Sequence, residues 1–160
     1  MQNIPELKLS IKGNELLEMY KLMVEDGYNN NLFNLKNYKE FLKNTFHENK
    51  INSVLDYGSG RSDWNDKGFD KDNNLSAKEY FNLDKVFQYE PTIYNTSKKI
   101  TDCVLCFDVL EHIFISDLNK LVSDLYYHAS SLLILQVACY EAKAKLPNGE
   151  NAHITLRNPI

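Results

Sequence analysis

The chain has 160 residues, which is typical of one globular domain, and we expect helices over residues 1–50 and an α/β core over residues 51–160. Its net charge of −4 comes without a Lys/Arg-rich stripe, so a nucleic-acid-binding surface is not expected. No apolar run is long enough for a membrane span, and the first residues lack the pattern of a signal peptide, so we expect a cytoplasmic protein.

Two helices are predicted ahead of the first strand. Residues 14–26 carry apolar side chains at helical spacing, and Gly27 follows where a helix end is expected. Residues 35–48 repeat the same spacing and predict a second helix.

The rest of the chain alternates apolar strands with helices. Strands are predicted at residues 53–57, 86–90, 102–107 and 131–140, and helices near 76–81 and at 115–128. This alternation indicates a doubly wound α/β fold with a mostly parallel, Rossmann-like sheet and an N-terminal helical cap. In such sheets ligands bind at the carboxyl ends of the strands.

A glycine-rich loop follows the first predicted strand, and its sequence is Asp56-Tyr57-Gly58-Ser59-Gly60. Glycines at this spacing let the backbone turn sharply and approach a ligand closely. A phosphate-binding loop would favour a Lys, and this loop has none. An Asp at the strand end better suits a ligand with a cationic group and hydroxyls. The loop therefore favours a nucleoside such as S-adenosylmethionine over ATP.

Together with later segments, this loop resembles the class I S-adenosylmethionine-dependent methyltransferases. Residues 56–60 look like the family's first motif, Glu90 like its second-strand acid, and residues 107–113 (FDVLEHI) like the segment after its fourth strand. The resemblance implies that the loop passes under the methionine part of the cofactor, that Glu90 holds the ribose hydroxyls, and that Asp108 and Val109 also contact the cofactor. We expect about five strands, although residues 91–101 leave barely enough room for one of them.

His112 and His153 are the candidate general bases, because the pKa of a histidine lies near neutrality. The alternative for each is a structural histidine. Asp56 has two compatible interpretations, a cap for the turn after the strand and a carboxylate facing the cofactor's amino group. Trp64, Tyr20 and Tyr140 are either core residues or platforms for a ring.

Three functions stay open from the sequence. A methyltransferase acting on an unidentified acceptor comes first. The alternatives are an enzyme that degrades S-adenosylmethionine, in which the cofactor's own carboxylate attacks its side chain, and a non-catalytic module that binds it. The family sheet normally has seven strands, so the apolar strand at 131–140 is expected to be an open edge. We expect residues 142–160 or another copy of the chain to cover it.

The cysteines do not predict a metal site. Cys103 and Cys106 form a CxxC pattern within a predicted strand, where residues three apart point to opposite faces. No second Cys/His pair has zinc spacing. Cys103 and Cys106 are expected to be small, buried residues in a reducing compartment.

Overall fold

The computed structural model describes residues 7–27, 33–93 and 98–157. The elements in these ranges are α1 (Ile11–Glu25), α2 (Phe33–Asn37), α3 (Lys39–Glu48), β1 (Ser53–Tyr57), α4 (Ala77–Tyr80), β2 (Lys85–Tyr89), β3 (Thr101–Phe107), a 3₁₀ turn (Leu110–His112), α5 (Ile115–His128) and β4 (Ala129–Gln136). No described helix is long and apolar enough to cross a membrane.

The four strands form one parallel sheet in the order β2-β1-β3-β4. Tyr57 lies opposite Tyr89, and Phe107 lies opposite Gln136, so the carboxyl ends of all four strands share one edge. The prediction of a parallel α/β sheet is confirmed, but the count of about five strands is wrong. Residues 91–93 form a turn and residues 98–100 have no regular structure, so the described part of this short connection holds no strand.

Both faces of the sheet are buried, because successive side chains of a strand point to opposite sides. On one face Val54 and Cys103 pack with residues of α2, α3 and α4. On the other face Leu55 and Cys106 pack with Leu125 of α5. The predicted divergence of the two strand cysteines is therefore confirmed. Cys103 and Cys106 are buried as predicted, and Cys139 is exposed.

Two predicted elements differ in extent. The helix predicted over residues 35–48 is interrupted at Tyr38, whose ring packs edge-on against Phe107 with 6.0 Å between centroids. The last strand ends at Gln136 and not at Tyr140. Just after that end, the Ala138 N–H donates to the carboxylate of Glu111 at 2.8 Å instead of to a strand. Both deviations coincide with contacts between residues far apart in sequence.

Strand β4 lies at the edge of the sheet, and Leu135 on it is 41% exposed. The described part of the chain after this strand does not cover the edge. It packs instead on α1, where Leu146 and Ala152 meet Leu16. The prediction that residues 142–160 cover the edge is therefore wrong for the described residues up to Arg157. Association with a second copy stays a prediction.

Helix α1 is attached to α5 through its N-cap. The Ser10 hydroxyl accepts from the Gly13 N–H at 3.1 Å and donates to Asp117 Oδ2 at 2.6 Å, while the Ser10 N–H donates to Asp117 Oδ1 at 2.9 Å. Gly13 allows this approach, since an added Cβ would lie 2.4 Å from Asp117 Oδ2. The cap thus fixes where α1 lies over the sheet.

Candidate functional site

A cavity of about 250 Å³ lies at the carboxyl ends of β1, β2 and β3, with α1 as its roof. The strand ends and the loops after them contribute Tyr57, Gly58, Gly60, Tyr89, Glu90, Asp108, Val109 and His112, and α1 contributes Gly13, Leu16, Leu17, Tyr20 and Val24. Among the described residues no Lys or Arg lines the cavity, whereas two acidic residues do. This charge distribution suits a cationic ligand better than a phosphate.

The glycine-rich loop approaches the segment after β3 closely. Gly58 and Gly60 have φ angles of 77° and 55°, a region that favours glycine. The Gly58 N–H donates to the Tyr89 carbonyl at 2.8 Å, which ties the loop to the end of β2. An added Cβ on Gly58 would lie 2.3 Å from Val109 Cγ2. The loop therefore needs a glycine at this position both for its backbone conformation and for space.

Glu90 joins the glycine-rich loop to the turn after β2. Its Oε2 accepts from the Gly60 N–H at 3.0 Å, and its Oε1 accepts from the Thr92 N–H at 3.1 Å and the Thr92 hydroxyl at 2.6 Å. A carboxylate has about four acceptor positions. These three bonds therefore leave one position on Oε2 for a ligand hydroxyl.

Asp56 and Ser59 do not line the cavity, although both belong to the predicted loop. The Asp56 carboxylate accepts from Trp64 Nε1–H at 2.8 Å on the opposite face of the sheet from Tyr57. Burial raises the pKa of Asp56 to about 7; the Trp64 bond opposes this rise and the charge of Glu90 adds to it. This placement supports a role in orienting the loop and not a direct contact with a ligand's amino group. Trp64 is a core residue, 1% exposed.

Asp108 follows β3 and lines the cavity with Val109. Its φ of 53° is left-handed, a conformation that Asp tolerates better than most residues. The Asp108 N–H donates to the Gln136 carbonyl at 3.0 Å. The 3₁₀ turn that follows is not capped by a side chain. The structure therefore gives no support to a capping role for Asp108 on this turn.

The structure brings His112 and His153 together, with 4.7 Å between ring centroids. His112 lines the cavity, and its Nδ1 lies 2.5 Å from the Tyr20 hydroxyl and 3.0 Å from the Ala152 carbonyl. Burial, with a contribution from the charge of His153, lowers the pKa of His112 to about 4. His112 is therefore neutral at pH 7 and a weak base. His153 does not line the cavity.

Sequence reasoning did not place Lys98 or the Glu111 carboxylate in the site, and it offered Tyr20 only as a core residue or a platform for a ring. Glu111 is completely buried, and its backbone carbonyl accepts from the Thr155 N–H at 3.0 Å. Lys98 lies 2.6 Å from Asp124 Oδ2 and 4.9 Å from the centre of the Tyr89 ring, next to the cavity wall. The sequence signal for Glu111 was the acidic-histidine pair within residues 107–113, and there was none for Lys98.

Comparisons of the chain with family models, curated proteins and solved structures found no match. The function is therefore argued from the geometry of the cavity.

Proposed function

We propose that the chain binds S-adenosylmethionine in the cavity under α1 within a Rossmann-like domain, and that it transfers the methyl group to an acceptor. One observation carries the proposal. Gly58 and Gly60, Glu90, Asp108 and Val109, which belong to three separate parts of the sequence, all line this single cavity. These are the segments on which the resemblance to methyltransferases rests.

The chemistry of the lining fits this cofactor. S-adenosylmethionine carries a sulfonium, which is cationic, and a ribose with two hydroxyls. The open acceptor position on Glu90 suits one ribose hydroxyl, and the second would replace the hydroxyl of Thr92. Asp108 is the second acidic residue on the cavity wall, and no Lys or Arg among the described residues lines it. Positive charge on a ligand is thus favoured here.

Methyl transfer needs alignment more than it needs a base. An electron pair of the acceptor forms a bond to the methyl carbon while the carbon–sulfur bond breaks, and the sulfonium becomes a neutral thioether. Alignment alone supplies on the order of 7–11 kcal/mol of the barrier reduction. Since His112 is a weak base at neutral pH, we propose an acceptor that is already nucleophilic, such as an unprotonated amine or a thiolate.

A second candidate function is favoured by the size of the cavity. Its volume of about 250 Å³ is below the roughly 300–1,000 Å³ of common ligand pockets. A cavity of this size is filled by one small-molecule ligand, without space for a separate acceptor. Degradation of S-adenosylmethionine requires only that ligand: its own carboxylate oxygen attacks the γ carbon, the bond from that carbon to sulfur breaks, and a lactone and methylthioadenosine leave.

Calorimetric titration with S-adenosylmethionine tests the proposed site. Glu90→Gln removes the charge and the acceptor, and we expect affinity to fall by about ten- to a hundredfold, as for the loss of a charged hydrogen bond. The matched control is Glu48→Gln, an exposed carboxylate of α3 outside the cavity, which should bind normally. Unchanged affinity in a folded Glu90→Gln variant would show that the site is misplaced.

Incubation with S-adenosylmethionine alone separates the two reactions. Release of methylthioadenosine without an acceptor, measured by mass spectrometry, supports degradation. Binding without consumption, followed by appearance of S-adenosylhomocysteine when nucleophilic acceptors are added, supports methyl transfer. Binding with neither product leaves a non-catalytic module and overturns both reactions.

A further inference from the structure

We propose that Glu111, His112 and His153 bind one divalent first-row transition-metal ion at the margin of the cavity. One carboxylate oxygen and one nitrogen from each imidazole lie within 4.8 Å of one another. Ligand atoms that meet tetrahedrally on one ion lie about 3.4 Å apart, because metal–ligand bonds to N and O are about 2.0–2.2 Å. Binding therefore requires the most distant pair of ligand atoms to approach each other by up to about 1.4 Å. This inference does not rest on the proposed cofactor.

The carboxylate supplies the strongest argument. Glu111 is fully buried, and its Oε1 accepts from the Ala138 N–H at 2.8 Å. Its Oε2 has no hydrogen-bond partner among the described residues. A buried, unpaired carboxylate oxygen is costly, and buried charges are normally paired or bound to a metal. The two neighbouring imidazoles provide the remaining ligands for a cation at this oxygen.

Each imidazole is oriented by a backbone carbonyl. His112 Nδ1 lies 3.0 Å from the Ala152 oxygen, and His153 Nδ1 lies 2.5 Å from the Tyr140 oxygen. A carbonyl only accepts, so the contact with Tyr140 assigns the proton of a neutral His153 ring to Nδ1. His112 has the same tautomer when the Tyr20 hydroxyl, 2.5 Å from its Nδ1, gives its proton to the Ala152 oxygen at 2.8 Å. Nε2 of both rings then keeps its lone pair. Histidine ligands of metals characteristically donate their other ring N–H to such a carbonyl.

The ligand set selects the class of ion. Two imidazoles and one carboxylate suit Zn²⁺, Co²⁺ or Fe²⁺, whereas Mg²⁺ and Ca²⁺ prefer oxygen ligands alone. Three protein ligands leave at least one coordination position open for water or a ligand oxygen. Sequence spacing did not reveal this site, because His153 lies 40 or more positions after the other two ligands and no cysteine takes part.

The test is titration of the chelator-treated chain with Co²⁺, followed by visible absorption, and with Zn²⁺, followed by calorimetry, both without S-adenosylmethionine. We expect one ion per chain and d–d absorption typical of a low coordination number. Glu111→Gln and His153→Gln should each weaken binding by more than tenfold. His47→Gln is the matched control, because His47 is exposed on α3 and is not part of the cluster.

Three results would overturn the proposal: no stoichiometric Co²⁺ or Zn²⁺ binding, equal binding by wild type and both ligand variants, or loss of binding in His47→Gln instead. Circular dichroism checks that each variant is folded. If Glu111→Gln unfolds, His153→Gln, which changes a half-buried loop residue, decides the question.

Discussion

Gly58→Ala tests whether the contact between the glycine-rich loop and the segment after β3 determines the local structure. An alanine at a left-handed φ of 77° costs about 1–2 kcal/mol. Its Cβ would lie 2.3 Å from Val109 Cγ2, where ordinary contacts are about 3.5–4.0 Å. Val109 is β-branched and stiff at χ1, so relief requires movement of the backbone. Such overpacking costs a further 1–3 kcal/mol or so.

The expected loss of unfolding free energy for Gly58→Ala is therefore about 2–5 kcal/mol, measured by urea denaturation. Gly149→Ala is the matched control: its φ is 89°, but nothing lies within 4 Å of the added Cβ. It should lose only the backbone contribution of about 1–2 kcal/mol. Adding Val109→Ala to Gly58→Ala should recover part of the loss. Equal losses for the two glycine variants, or strict additivity with Val109→Ala, would refute the reasoning.

Three further predictions concern buried polar groups. The folded-state pKa of Asp56, about 7, exceeds its ordinary value of 3.8, so this group stabilises the fold at low pH and the contribution is lost as pH rises through 7. In urea denaturation, Asp56→Asn should therefore gain stability relative to wild type between pH 5 and pH 8. Parallel pH profiles of the two proteins would contradict this. Lys98→Ala removes the ammonium from a pair whose side chains are only 12% and 4% exposed and leaves Asp124 Oδ2 with the Tyr57 hydroxyl at 2.7 Å. We expect a loss of about 3–5 kcal/mol in unfolding free energy, against less than about 1 kcal/mol for Lys21→Ala, whose partner Glu18 is exposed. Equal losses in thermal and urea unfolding would contradict that difference. Ellman's reagent should modify one thiol per native chain, that of Cys139, because burial raises the pKa of the Cys103 and Cys106 thiols. Modification of a second thiol in the folded protein would contradict this.

The sequence predicted best where the determinants are local. Helix α5 spans the predicted residues 115–128, and β1 spans the predicted 53–57, because an amphipathic repeat and a short apolar run bounded by polar residues define them. The break at Tyr38 and the end of β4 were not predicted. Each coincides with a contact to a residue far along the chain, Phe107 in the first case and Glu111 in the second. Periodicity carries no information about such contacts.

The candidate site, like the fold, was predictable from the sequence in some features and not in others. The positions after β1, β2 and β3 were predicted to meet, and a parallel sheet makes this necessary. Strand alternation places Asp56 on the face opposite Tyr57 and so predicts its orientation, whereas the resemblance of the loop to the methyltransferase motif does not. The roof was not predictable, since the position of α1 depends on the contact between Ser10 and Asp117.

The Ser10 contact makes the folding of α1 and its docking a single cooperative event. The same hydroxyl caps the helix through Gly13 and bonds to Asp117 on α5. A helix of 15 residues is marginal alone in water, so α1 gains its stability from this attachment and from its apolar packing. Local opening of α1 therefore exposes the cavity and unwinds the helix together. A ligand that contacts α1 must slow hydrogen exchange along the whole helix, including amides that it never touches.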